Sequence, residues 1–244
     1  MKEQYVGDIS DYRKYALLRA LSAGGINRVG VCWMLTSSDG SSDGNKFAYL
    51  SQPERYRSFD AELFEILVRA AGEPDRRRLR SIEESGAIPN TDYFNEVLSD
   101  DHLSRSAFME RCSGALANAD LIFFDPDNGL EVSLRKGRKN SSKYLYLDEV
   151  AAFYRSGKSL LIYQHFPHVE RAGVVSICAE RLRSAAPGGA IWTFTTAHVA
   201  FFLLVHSESP ARIAIAAEEA CGRLEPSFIR GAFLPMSLAA YPND

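Results

Sequence analysis

The sequence predicts an α/β protein with one mostly parallel sheet that is covered by helices on both faces. Two observations lead to this prediction. Apolar segments of strand length alternate along the chain with amphipathic helical segments, which is the pattern of parallel strands joined by crossover helices. Two of the strands, "DLIFF" and "SLLIY", are apolar at almost every position, as expected for strands buried on both faces.

The first helix is predicted at residues 10–25, where Tyr15, Leu18 and Leu21 share one face and Ser10 or Asp11 can cap the start. Further helices are predicted, in order, at residues 59–72, 105–119, 147–157, 170–186 and 210–224. Strands are predicted at residues 28–35, 120–125, 158–166, 189–196 and 198–207.

The last two strands are too close in sequence for a crossover helix, so they are expected to pair antiparallel at one edge of the sheet. The stretch 69–105 has weaker patterns and is expected to be a less regular insertion. The whole chain of 244 residues is therefore predicted to be a single Rossmann-like domain.

Composition and charge restrict the classes of partner. A net charge of −3 gives no overall attraction to nucleic acid, but basic runs at residues 76–80 and 135–139 can contact phosphates. Nucleic acid and small molecules are therefore both candidate partners, and no pattern defines an oligomeric state. No apolar segment approaches the roughly 18–20 residues of a membrane span. The four cysteines are widely spaced and no signal peptide is recognised, which predicts reduced thiols and a cytoplasmic location.

Polar side chains follow four of the predicted strands at the point where each strand ends. Ligands of open α/β sheets bind beyond the carboxyl ends of the strands, so these side chains are predicted to form one site. In strand order they are Asp39, Asp43, Asn45 and Lys46, then Asp125, Asp127 and Asn128, then Gln164, His165 and His168, and finally Thr195, Thr196 and His198.

The segment "DPDNG" after the strand "LIFF" is the strongest of these candidates. Asp125 follows the apolar strand directly, and Pro126 fixes the backbone angle φ, so the carboxylate is expected at the rim of the sheet. The alternative is a turn in which Asp125 caps neighbouring amides. Gln164 and His165 also end a buried strand, where a buried imidazole needs a hydrogen-bond partner.

A second cluster lies near the start of the chain. Asp8, Asp11 and Lys14 are spaced three residues apart, so Asp11 and Lys14 share one face of the first helix. Lys14, between Tyr12 and Tyr15, can hold an anion or a carboxylate. The alternative is a capped amphipathic helix with an exposed ion pair.

Three stretches bear on the chemistry: "GDISDYRK" at 7–14, "DPDN" at 125–128 and "LLIYQHFP" at 160–167. Together they resemble the S-adenosylmethionine-dependent adenine-N6 methyltransferases, especially the family that acts on 23S ribosomal RNA. That family has a G-N-x-A-D-x-x-K motif before a helix, a D-P-P-Y motif after a central strand, and a later strand that ends in an aromatic residue and a proline. Here Asp127 and Asn128 replace the second proline and the aromatic residue, and the family's glycine-rich cofactor loop is absent.

The resemblance implies a methyltransferase-like scaffold from a bacterial group, with S-adenosylmethionine as the cofactor and an amino group as the methyl acceptor. Under this reading the catalytic residues are Asp125, Asp127, Asn128 and His165. The cofactor-binding residues are Lys14, Asp11, Asp39, Asp43 and Asn45, and the substrate-binding residues are Gln164, Lys143 and His198.

Two other functions remain open. A divalent-metal nuclease or phosphoester hydrolase would use Asp125, Asp127 and Asp39 as ligands of Mg²⁺ or Mn²⁺, which prefer oxygen ligands. His165 would then activate water, and Lys143 would neutralise phosphate. The remaining possibility is a non-catalytic domain that binds a partner.

Overall fold

A computed structural model of the protein describes residues 1–37, 46–72, 78–167 and 169–235. The strands of this part of the chain are β1 (Val29–Cys32), β2 (Thr91–Phe94), β3 (Leu121–Phe124), β4 (Gly129–Leu130), β5 (Tyr144–Leu145), β6 (Ser159–His165), β7 (Ala190–Thr195), β8 (Val199–Val205) and β9 (Arg230–Leu234). Its α-helices are α1 (Ile9–Ala23), α2 (Pro53–Tyr56), α3 (Ala61–Gly72), α4 (Leu79–Glu84), α5 (His102–Ala115), α6 (Leu147–Arg155), α7 (Arg171–Ala185) and α8 (Ala211–Arg223).

Seven strands form one sheet in the order β2-β1-β3-β6-β8-β7-β9, and β4 pairs with β5 in a separate ribbon. The first four strands of that order run parallel to one another. Strand β8 is antiparallel to both β6 and β7, and β9 is antiparallel to β7. The prediction of an α/β protein with a mostly parallel sheet is therefore confirmed.

The expected antiparallel pair is β7 with β8, but its position differs from the prediction. Strand β8 lies inside the sheet between β6 and β7, and the edge is formed by β9. The segment "RGAFL" of β9 gave no strand signal, because only some of its residues are apolar and its side chains are mostly exposed. At the other edge β2 pairs with β1 over four residues. The stretch 69–105 thus contributes a strand to the main sheet.

Helices pack on both faces of the sheet. On one face, Leu121 and Phe123 of β3 belong to a core cluster that includes buried residues of α1, α3 and α8. On the other face, Ile122 and Phe124 join a cluster with buried residues of α5, α6 and α7. Successive side chains of a strand point to opposite faces, so one fully buried strand serves both cores.

The strand order places several chain segments at one edge of the sheet. From β1 the chain goes to β2 on one side and then to β3 on the other, so the order reverses between β1 and β3. In register, Phe124 of β3 is level with Ile162 of β6, and His165 is level with Val199 of β8. The residues after β3, the end of β6 and the start of β8 consequently meet at the carboxyl edge of the sheet.

Two further observations concern membrane-spanning helices and the cysteine side chains. Among the described residues, no helix combines the length and the apolar character that crossing a membrane requires. All four cysteines are free thiols, of which Cys32, Cys112 and Cys178 are buried.

Candidate functional site

A cavity of about 460 Å³ lies at the carboxyl edge of the sheet, next to the reversal of strand order. Helix α1 and the turn before it line one wall, and the ends of β3, β6 and β8 line the others. The polar and aromatic residues that line it include Asp8, Asp11, Lys14, Lys46, Asp125, Asp127, Tyr163, His165 and His198. The predicted meeting of polar strand ends is therefore confirmed for the second, third and fourth strand ends.

The turn before α1 positions two carboxylates. Gly7 has φ of +84°, a left-handed conformation that favours glycine, and its carbonyl accepts a hydrogen bond from the Tyr49 hydroxyl at 2.9 Å. Asp8 then caps the helix by accepting hydrogen bonds from the amides of Ser10 and Asp11 at 2.7 and 3.0 Å. Asp8 and Asp11 are both buried, so the helix start places negative charge inside the protein.

Lys14 is the centre of a buried charged network. Its ammonium group lies 2.8 Å from Oδ1 of Asp11 and 2.6 Å from Oδ2 of Asp125. Asp11 also accepts hydrogen bonds through Oδ2 from the Tyr15 hydroxyl and the amide of Gly7. Burial lowers the pKa of Lys14, but Asp11 and Asp125 together outweigh burial and raise that pKa above its usual value. Lys14 is therefore a permanently charged link between α1 and the end of β3.

The Asp-Pro-Asp segment after β3 is held by positive groups. Burial raises the pKa of Asp125, and the ammonium groups of Lys14 and Met1 work against this rise. The amino group of Met1 lies 2.7 Å from Oδ1 of Asp127, whose Oδ2 accepts a hydrogen bond from the Thr36 hydroxyl. Burial raises the pKa of Asp127, but the Met1 amino group, together with the Thr36 hydroxyl and the charge of Lys2, more than offsets burial and holds that pKa below its usual value.

Asp8, which the sequence placed in a cluster with Asp11 and Lys14 but gave no role of its own, is a titratable group of the cavity. Burial, helped by the nearby charge of Asp11, raises the pKa of Asp8 from 3.8 to about 6. A carboxyl group with such a pKa is suited to proton transfer near neutral pH. The sequence feature that indicates burial of Asp8 is the apolar pair "YV" just before Gly7. Because this pair packs against the hydrophobic core, the helix cap that follows it is also buried.

Two histidines line the open side of the cavity, as predicted. His165 is the last residue of β6, and His198 precedes β8; both side chains are exposed. Burial lowers the pKa of His198, and the positive charges of Lys46, Arg13 and Arg171 lower it further. The neutral imidazole is thus the dominant form of His198 at neutral pH.

Asn128 and Gln164 connect the segment after β3 to β6. The side chain of Gln164 accepts a hydrogen bond from the amide of Leu130 at 2.9 Å and donates to the carbonyls of Asn128 and His165 at 3.1 and 2.9 Å. Gly129 has φ of +119°, and a Cβ atom there would collide with the Gln164 amide. Gln164, predicted to contact substrate, instead fixes the backbone of the loop and does not line the cavity.

Lys143 and Asn128 also stand outside the lining of the cavity. The carbonyl of Lys143 accepts a hydrogen bond from the Asn128 amide at 2.9 Å, which anchors the Asp-Pro-Asp segment from behind. Thr196 is used locally, because its hydroxyl accepts hydrogen bonds from the amides of His198 and Val199. These residues shape the site without presenting functional groups to the cavity.

The remaining predicted site residues, Asp39, Asp43 and Asn45, lie outside the described residues, as does His168. Within the described ranges, no cluster of three or more His, Cys, Asp or Glu side chains is arranged to hold a metal ion. Lining residues that were not identified from the sequence as members of the site include Met1, Tyr5, Ser10, Tyr163 and Val199.

Comparison with models of protein families, with curated proteins and with solved structures found no match. The class of the protein therefore has to be described from its fold and its cavity. It is an α/β protein with a polar cavity at the carboxyl edge of its sheet. The wall of that cavity contains a buried carboxylate–ammonium–carboxylate network.

Proposed function

We propose that the protein is a methyltransferase-like enzyme that transfers a methyl group from S-adenosylmethionine to an amino group of a nucleic acid or a small molecule. The observation that carries the proposal is the position of Asp125 and Pro126. They directly follow the central parallel strand β3 and line a cavity at the carboxyl edge of the sheet. This is where the D-P-P-Y motif of the similar methyltransferases places its Asp and proline.

Two coarser features support the same proposal. We assign the sheet to the Rossmann-like type, because its parallel strands carry helices on both faces and its order reverses between β1 and β3. A volume of about 460 Å³ is suitable for a small molecule or a single base, since ligand pockets commonly span about 300–1,000 Å³.

The four free thiols fit a reducing compartment, and we place the protein in the cytoplasm.

Asp125 is the group we expect to hold the acceptor. The Lys14 ammonium fixes its carboxylate through Oδ2 at 2.6 Å, so the orientation is set before any ligand binds. A carboxylate at this position can accept a hydrogen bond from the amino N–H and direct the nitrogen lone pair away from itself. In this proposal Asp11 and Lys14 are positioning residues that act through Asp125.

The cofactor, when bound, supplies an electrophilic methyl group on a sulfonium. An amino group that accepted this methyl group would have to lose one proton, and the thioether of the cofactor would be the leaving group. Asp8 lines the same cavity, and with a pKa of about 6 it is mainly ionised at neutral pH, so it is the proton acceptor we assign. His165 and His198, on the open side, can pass that proton to solvent.

The fit of the cofactor itself differs from the sequence-based expectation. Lys14 was expected to hold the cofactor carboxylate, but its ammonium already pairs with Asp11 and Asp125. Among the lining residues, Lys46 is an exposed cation that can take that role. Asp39, Asp43 and Asn45 stay as predicted cofactor contacts that lie outside the described residues.

The geometry favours methyl transfer over metal-dependent hydrolysis. Asp125 and Asp127, the expected metal ligands, each lie within 2.7 Å of an ammonium nitrogen. A divalent cation beside them would be repelled by those positive charges, or would have to displace them. A single calorimetric experiment tests methyl transfer, metal-dependent hydrolysis and a non-catalytic role in binding a partner together.

Isothermal titration calorimetry with S-adenosylhomocysteine and, separately, with Mn²⁺ tests the proposal. We expect S-adenosylhomocysteine to bind and Mn²⁺ alone not to bind. Transfer of a radiolabelled methyl group to bulk RNA or to free nucleosides should be lost in Asp125→Asn and retained in Asp92→Asn, a control in which the altered carboxylate pairs with Arg28 at the opposite end of the sheet.

The other outcomes decide against methyl transfer. Binding of Mn²⁺ alone that disappears in Asp127→Asn would establish the hydrolase reading instead. Binding of neither ligand would leave the partner-binding domain as the remaining reading.

A further inference from the structure

A second cleft, of about 410 Å³, opens beside the acidic cavity. Helix α1, the start of α7, the turn between β7 and β8, and the start of β9 line it. We call it the arginine cleft because Arg13, Arg171 and Arg230 line it, and no Asp or Glu of the described part of the chain does. Its other lining residues include Phe166, Thr196 and Phe228. Thr196 and His198 belong to the same turn, so one short segment of chain separates the two openings.

The three guanidinium groups of this cleft form no direct ion pair with a carboxylate of the described residues. Among the described residues, no carboxylate lies within salt-bridge distance of Arg13, Arg171 or Arg230, whereas eleven other Lys and Arg side chains pair with acids. The nearest acidic group to Arg171 in sequence, Glu170, accepts hydrogen bonds from the amides of Ala172 and Gly173 and caps α7. The cleft therefore concentrates positive charge on a protein whose net charge is −3.

Arg13 has a guanidinium N–H that lacks a hydrogen-bond partner in the described part of the chain. Its Nε is buried and has no hydrogen-bond partner among the described residues, and its guanidinium lies 5.5 Å from the centre of the Phe228 ring. A buried guanidinium N–H without a partner is costly, so such groups are normally satisfied by protein, water or ligand. Burial lowers the pKa of Arg13, as expected for a cation in need of an anionic partner.

We propose that the arginine cleft binds phosphate. Guanidinium groups present several N–H donors in a plane and match the oxygens of phosphate in paired hydrogen bonds. Three of them around one cleft suit a group with several oxygens and more than one negative charge. A phosphorylated small molecule and a polynucleotide backbone share this chemistry. That the bound phosphate belongs to the methyl acceptor rests on the proposed function, but phosphate binding itself does not.

The positions of Arg13 and Lys14 explain how one ligand can use both openings. They are consecutive residues of α1, about 100° apart around the helix axis, so one side chain faces the arginine cleft and the other faces the acidic cavity. A ligand whose phosphate lies against Arg13 can place an adjoining uncharged group in the cavity. The reverse arrangement is less favourable, because Asp8, Asp11 and Asp125 in the cavity would repel a phosphate.

Titration with inorganic pyrophosphate at low salt, in the absence of any methyl donor, tests the phosphate site. Substitutions Arg171→Gln and Arg230→Gln remove exposed guanidinium groups with little risk to folding, and Arg13→Gln removes the buried one. We expect each to weaken pyrophosphate binding by about tenfold. Arg155→Gln on α6 is the matched control, because it removes an exposed arginine that lies outside the cleft and should leave affinity unchanged.

A short single-stranded oligonucleotide then identifies the source of the phosphate. Polynucleotide binding should weaken with salt more steeply than pyrophosphate binding, and the slope should fall by about one for each arginine removed. A small phosphorylated ligand instead predicts binding of a mononucleotide and no gain with chain length. Absence of pyrophosphate binding by the folded wild type would overturn the phosphate site. So would equal weakening by Arg155→Gln. Failure of S-adenosylhomocysteine to bind would overturn only the proposed methyl transfer.

Discussion

The ammonium of Lys14 lies 2.6 Å from Oδ2 of Asp125, a residue 111 positions further along the chain. This contact joins the first helix of the fold to the end of its central strand. Both groups are almost fully buried, so the pair is sheltered from water and salt. Burying the charges of Asp11, Lys14 and Asp125 costs free energy, which their mutual attraction offsets only while all three are present. Removing one of the three therefore tests the network.

Replacing Lys14 with methionine should lower the free energy of unfolding by about 3–5 kcal/mol, because Asp11 and Asp125 would be left as buried carboxylates without a cation. Urea denaturation at neutral pH measures this change. The control is Arg80→Met, which removes an exposed ion pair with Glu84 on α4 and should cost less than about 1 kcal/mol. A loss for Lys14→Met as small as that of the control would contradict the network.

Replacing Asp8 with asparagine should make stability less dependent on pH. The pKa of Asp8 rises from 3.8 to about 6 on folding, so the folded state binds the proton more tightly than the unfolded state does. The free energy of unfolding therefore loses a contribution as pH rises from about 4 to about 6, and the full penalty, of about 3 kcal/mol, is present above that range.

Asparagine caps a helix about as well as aspartate but carries no charge. Asp8→Asn should match the wild type near pH 4 and be more stable by up to about 3 kcal/mol near pH 7.5, as measured by urea denaturation at both values. We expect methyl transfer to fall in the same variant, since the proton acceptor is lost. A variant that is less stable than the wild type at neutral pH would show that the Asp8 carboxylate stabilises the fold.

Replacing Gln164 with glutamate should destabilise the loop after β3. The Gln164 Nε2 donates to the carbonyls of Asn128 and His165, and a carboxylate oxygen in its place would face two acceptors. The expected loss is about 2–3 kcal/mol in the free energy of unfolding. Gln52→Glu, which alters a half-buried side chain whose hydrogen bond to the Ala48 carbonyl is exposed to solvent, should change stability by less than about 0.5 kcal/mol. Equal effects of the two substitutions would rule out the anchoring role of Gln164.

Replacing Gly129 with alanine should also lower stability, by about 1–3 kcal/mol, because φ of +119° is strained for any residue with a Cβ atom and the added atom meets the Gln164 amide. Gly114→Ala is the opposite control. Gly114 lies in α5 with nothing within 4 Å of an added Cβ, so alanine there should raise stability by about 0.5–1 kcal/mol. Thermal denaturation compares the two variants directly, and a stabilising Gly129→Ala would contradict the loop geometry.

The sequence revealed those parts of the fold that have long, periodic apolar patterns. The predicted strand at 120–125 corresponds to β3, and the predicted helix at 170–186 corresponds to α7. Strands β2 and β9 escaped notice because each is an edge strand of four or five residues with few buried side chains. The position of β8 inside the sheet depends on which neighbours pair, and no pattern within a single strand encodes that choice.

The candidate site was predictable to the extent that strand ends must meet at one edge of a parallel sheet. That rule brought Asp125, His165 and His198 together correctly. The direction of individual side chains was not predictable, so Gln164 was expected to face the ligand although it faces the loop backbone. The elevated pKa of Asp8 depends on burial by residues distant in sequence, which the spacing of charges in the first helix does not show.

The placement of Arg13 and Lys14 on one turn of α1 fixes the distance between the arginine cleft and the acidic cavity. If one ligand occupies both of the proposed sites, the helix would set the length of ligand between its phosphate and its reacting nitrogen. Candidate acceptors that are one bond too long or too short should still bind, but they should react slowly, so selectivity would be expressed in turnover more than in affinity.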